Sequence, residues 1–151
     1  MKYGYGSYGD IALKDLESAR AALDGATRLA MWGAPQAAEK MLKQAVLTLL
    51  PSGEERRHLL RSHSTKLIAS RLSVPGLGEH VQALRDLDEL YINTRYPGED
   101  YFEVTEEEAE EYFSKAESIV YLVDDYLSNR KTEPPNIEGE LPQKIRGIFL
   151  D

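Results

Sequence analysis

The chain has 151 residues, a formal net charge of −8, 42% hydrophobic and 29% charged residues, and no cysteine. That balance fits one globular domain with a real core and excludes disorder over the whole length. It also excludes a disulfide framework, a thiol nucleophile and a cysteine metal site, and no stretch approaches the roughly 18 apolar residues of a membrane span. The expected setting is a reducing cytoplasm, with no membrane partner.

Residues 1–10 (MKYGYGSYGD) read as a flexible N-terminal arm, because Tyr3, Tyr5 and Tyr8 alternate with glycines that make ordering costly. A first helix is expected from Ile11, with Asp10 as its N-cap and Leu13, Leu16, Ala19, Leu23, Ala26 and Ala30 on one stripe. Gly33 should end it. A second helix should run from Pro35 to Leu50, with Ala38, Met41, Leu42, Ala45, Val46 and Leu49 on its apolar face. The short Gly33-Ala34 connection then makes an antiparallel hairpin of the two.

Residues 54–61 read as loop or helical extension. A short third helix is expected over Ser62–Arg71 and a fourth over Gly78–Asn93, the latter with Val81, Leu84, Leu87 and Tyr91 on one face. After a loop over Thr94–Val104, Thr105 with Glu108 three residues on fits a capping box. The last long helix should span Thr105–Asn129, carrying Ala109, Phe113, Ala116, Ile119, Val120, Val123 and Leu127 in phase, and should be the spine of the bundle. Beyond it, 131–151 is a tail broken by Pro134-Pro135, with a short amphipathic segment over Leu141–Leu150. The expectation is thus an all-α, antiparallel up-and-down bundle of about five helices over residues 11–130.

Four pieces of this sequence resemble the HEPN family. Gln36–Lys43 (QAAEKMLK) looks like its second-helix signature, and Arg61–Leu67 (RSHSTKL) resembles the histidine segment that opens its third helix. Leu90–Pro97 (LYINTRYP) resembles its Arg-Tyr-Pro segment, and Thr105–Leu127 is similar to its final helix. Together they mark the branch with the His and Arg-Tyr-Pro segments rather than the ribonuclease branch. The resemblance implies a helical bundle that forms a two-fold homodimer. It also implies partnership with a minimal nucleotidyltransferase in toxin–antitoxin pairs, and nucleotide binding in some members.

Several residues could carry chemistry. The ribonuclease branch uses an arginine, four to six intervening residues, then a histidine. The imidazole would move protons and the guanidinium would stabilise the charged phosphorane. Arg57 and His63 fit that spacing, as does Arg56 with His63, within a local basic stretch that also holds His58, Arg61, Lys66 and Arg71. Their place before the third helix is wrong for that motif, and no histidine follows Arg95. A metal-independent ribonuclease toxin using Arg57 and His63, with RNA as its substrate, is therefore the alternative rather than the first reading. The first reading is a non-catalytic binding partner, with His63, Arg95 and Lys43 as the nucleotide- or phosphate-binding residues. The competing explanations are structural. His63 would cap a helix, Arg95 would satisfy a helix end, and Glu39 and Lys43 would form an ordinary i,i+4 ion pair. A ligand-free structural dimer is the third reading. No cofactor is expected and no metal, since Asp124 and Asp125 point apart on their helix and no histidine joins them.

Overall fold

The computed structural model describes residues 2–95 and 104–130, with the backbone alone for 93–95. Six α-helices account for most of the described residues: α1 Tyr8–Ala22, α2 Thr27–Leu49, α3 Glu54–Arg61, α4 Thr65–Ser70, α5 Val81–Arg95 and α6 Glu106–Arg130. One 3₁₀ turn, Leu77–His80, leads into α5, and no strand occurs among the described residues. The expected all-α bundle is thus what forms, with one helix more than anticipated because residues 54–61 are helical.

The first hairpin turns earlier than the periodicity suggests. The stripe from Leu13 to Ala30 belongs to two helices, broken over Leu23–Ala26, where Gly25 takes a φ of +107° that side chains rarely adopt. Gly33 ends nothing. It sits inside α2 because α1 passes so close that a Cβ there would lie 3.2 Å from that of Ala19. Pro35 is also inside α2 and buried. It removes one backbone donor, a cost the buried Met31, Ala34 and Ala38 around it outweigh. At the start of α1, Ser7 rather than Asp10 is the N-cap, its hydroxyl accepting from the Asp10 N–H at 3.2 Å.

The central element is α2, not the last helix. It packs against α1, α3, α4, α5 and α6, and from Ala30 to Val46 it buries Ala30, Met31, Ala34, Ala37, Ala38, Met41, Leu42, Ala45 and Val46. Its alanines let neighbouring helices approach, and each fully buried Leu or Met contributes about 1.5–3 kcal/mol. Cross-links fix the directions. Asp15 pairs with Lys40 and the Gly9 N–H donates to Gln44, so α1 and α2 run antiparallel. Asp86 pairs with Lys115, while Leu90 packs in one cluster with Ala109, so α5 and α6 do too. The capping box of α6 forms as expected: the Thr105 N–H donates to Glu108 at 3.0 Å and the Glu108 N–H to Thr105 at 3.1 Å. The N-terminal arm is held rather than free. Tyr3 packs on the core, its hydroxyl donates to Asp124 of α6, and Lys2 pairs with the same carboxylate at 3.1 Å.

Candidate functional site

The polar site expected from sequence is organised by a residue that looked ordinary there, Glu39. It lies on α2, and its side chain is 10% exposed. Lys43, one turn on and only 6% exposed, donates from Nζ to Glu39 Oε2 at 2.9 Å, and stands 6.0 Å from the centroid of the Tyr8 ring. The same Oε2 is 3.3 Å from His63 Nδ1. The i,i+4 pair foreseen from the spacing is therefore present, but it is buried. Its members are covered by α1 on one side and by the α3–α4 connection on the other.

His63 is the exposed member, at 65%. It lies outside any helix, in the connection Ser62–Ser64, and it is Ser64 rather than His63 that caps α4, accepting from the Leu67 N–H at 3.1 Å. Asp88 of α5 fixes this connection. Its carboxylate accepts from the Ser64 hydroxyl at 2.9 Å, the Thr65 N–H at 2.8 Å, the Thr65 hydroxyl at 2.7 Å and the Lys66 N–H at 3.2 Å. One turn further along α5, the Tyr91 ring stacks on the His63 ring, with centroids 5.8 Å apart and planes 15° from parallel. The imidazole thus meets Glu39 with one edge and Tyr91 with one face, while Asp88 anchors the residues that follow it, Ser64 to Lys66.

Two of the three expected binding residues, His63 and Lys43, therefore meet through Glu39. Arg95 is the last residue of α5, four positions after Tyr91; its side chain, and the Tyr96-Pro97 segment, lie outside the described residues. The C-terminal tail 131–151 also lies outside them. The catalytic spacing candidates have other partners: Arg57 pairs with Glu54 at 3.4 Å, and Arg56 reaches Ser52 at 3.2 Å, both within or just before α3. Glu39, Tyr91 and Asp88 were not foreseen as parts of the site. The i,i+4 spacing of Glu39 and Lys43 was a visible sign, but their burial depends on which helices cover α2. No cluster of three or more metal-ligating side chains occurs among the described residues.

Chemically, the corner offers an exposed imidazole beside a carboxylate that Lys43 neutralises. The corner is set in an all-α bundle. The family model of the HEPN domain matches residues 7–126, and the chain belongs to that family. Among solved structures it is similar to TT1696 from Thermus thermophilus, at 29% identity and a TM-score of 0.66, covering 79% of this chain and 94% of that one. No curated protein matches it. No helix among the described residues is long and apolar enough to cross a membrane.

Proposed function

We propose that this HEPN protein is a binding partner rather than an enzyme. It forms a two-fold dimer, associates with a minimal nucleotidyltransferase in a toxin–antitoxin type of pair, and holds a nucleotide at the corner formed by His63, with Arg95 beside it. The observation that carries this reading is the held, exposed His63 ring. The ring is placed by contacts with Glu39 and Tyr91 while 65% of the side chain stays in solvent, which supports a role toward a ligand. Lys43 serves indirectly. By neutralising Glu39 it keeps the corner from repelling an anionic ligand.

Two measurements test this. A thermal-shift series with millimolar nucleotides should raise the melting temperature of the wild type by mass action and leave His63→Ala unmoved. No shift in either protein favours the ligand-free structural dimer. Co-expression with the nucleotidyltransferase of a neighbouring reading frame should give a complex that survives size-exclusion chromatography, and two separate peaks would count against the partnership. The alternative, a ribonuclease using Arg57 and His63, rests on their spacing alone. It predicts RNA cleavage with EDTA present that disappears in His63→Ala.

A further inference from the structure

We infer that the groove between α4 and the start of α5 is a docking slot for a later part of this same chain, the apolar segment 141–150. The groove is a cavity of about 250 Å³, lined by Lys66, Ala69, Leu72, Leu77, Val81 and Leu84 among others. Its floor is continuous with the core, since Ala69, Leu77 and Leu84 are buried. Its rim is open: Val81 is 38% exposed, and Lys66 is exposed and makes no ion pair among the described residues. The slot exists because the 3₁₀ turn crosses it at Gly78, where a Cβ would meet nothing within 4 Å. An apolar concavity of this kind favours an apolar side chain over water.

Size, reach and chemistry select the occupant. The slot takes one or two side chains, whereas a stable contact between two proteins needs about 800 Å² from each. A short segment is what fits. The chain brings one close. The helices α5 and α6 run antiparallel, so α6 leaves the bundle at the end where α5 begins. A Cβ at Gly76, beside Leu77, would lie 3.5 Å from Leu122 of α6, and Arg130 is about 12 Å further along that helix. Residues 131–145 can then span up to roughly 50 Å when extended. The segment carries Leu141, Ile145, Ile148 and Phe149 at helical spacing, with Glu138 and Glu140 before it and Asp151 after it to meet the Lys66 ammonium. Two side chains bind weakly as a separate molecule, but a tether gives them an effective concentration in the millimolar range.

The test uses the full chain, which has no cysteine of its own. Under mild oxidation the pair Gly78→Cys and Phe149→Cys should close a bond within one chain. It should do so about fivefold faster or more than the control pair Leu29→Cys and Phe149→Cys, because docking raises the local concentration at the groove alone. Leu29 is 60% exposed and stands beside Ala30, which packs with Leu90 near the other end of α5. Equal rates for the two pairs would overturn the inference. A Gly78–Phe149 cross-link found only between chains would seat the segment on a second copy and overturn it too. A second measurement leaves the groove untouched. In Ile148→Ser/Phe149→Ser, amide hydrogen exchange over Leu77–Leu84 should speed up about tenfold while Ala30 and Met31 keep their rates. Unchanged exchange at the groove would contradict docking.

Discussion

Glu39 on α2 and Asp124 on α6 are both buried carboxylates, and each is met by a lysine and a ring. At Asp124 the ring is Tyr3, which donates its hydroxyl directly and lies half-buried on the core, while Lys2 closes the pair from outside. At Glu39 the lysine is the buried partner and the ring, His63, is the exposed one. The order of burial is inverted. In the first corner the chain uses its own terminus to cover a charge, and the result is a clasp between the N-terminus and α6. In the second the charge is settled beneath the surface, and what remains outside is a ring held in place with one edge and one face available. The same chemical parts therefore make a structural tie in one place and leave an exposed ring in the other, the one we propose as a binding surface.

The largest effect should come from removing the buried cation. Lys43→Met leaves the Glu39 carboxylate without its ammonium, and should cost about 3–5 kcal/mol in urea denaturation. The double variant Glu39→Leu/Lys43→Met should recover most of that loss. A similar loss in both would mean that the two side chains act through packing rather than as a pair.

Smaller effects belong to the clasp. Tyr3→Phe removes the hydroxyl that donates to Asp124 and should cost about 1.5–3 kcal/mol, the range for a hydrogen bond to a charged group. Burial of the Tyr3 phenol, its hydrogen bond to Asp124 and the charge of that carboxylate together push its pKa well above the usual tyrosine value. The folded state therefore favours protonated Tyr3. The stabilisation is full below pH of about 10 and is lost as the pH rises beyond that. Wild type should lose stability between about pH 10 and 12 faster than Tyr3→Phe does, and parallel pH profiles would contradict the clasp.

The Asp86–Lys115 pair between α5 and α6 should matter less. Burial alone would raise the Asp86 pKa, but the hydrogen bonds from Lys115 and Gln82 and the Lys115 charge outweigh it and hold it below the ordinary value. Its contribution is present above the ordinary carboxylate range and is lost as the pH falls through the depressed value. Asp86→Asn should cost less than about 1 kcal/mol at pH 7 and should flatten the acid limb of the stability profile. Smallest of all in stability is His63→Ala, expected within about 0.5 kcal/mol of wild type because the side chain is mostly exposed. That variant is informative because its effect on ligand binding should be large while its effect on folding is not.

Much of the fold was legible because it rests on local patterns. The α6 stripe and its Thr105–Glu108 cap depend only on residues three and four apart, and both are found as read. The first hairpin was misread because Ala19, Leu23, Ala26 and Ala30 keep a helical rhythm across a turn. Gly33 and Pro35 then offered a false end. Gly33 sits where Ala19 of another helix approaches closely, which no local pattern encodes. The same limit applies to the site. Glu39 and Lys43 are legible as a pair, but their burial and their link to His63 and Tyr91 follow from how α1, α4 and α5 pack over α2. Asp88 reads as one more exposed acid on α5, until α4 is seen to begin on it.

The inversion between the two corners is most directly tested by following both at once. In an aromatic NMR titration with a nucleotide, the ring resonances of His63 and Tyr91 should move together and saturate with one affinity, while those of Tyr3 stay fixed. Shifts at Tyr3 with His63 unmoved would place the ligand at the wrong corner and contradict the account.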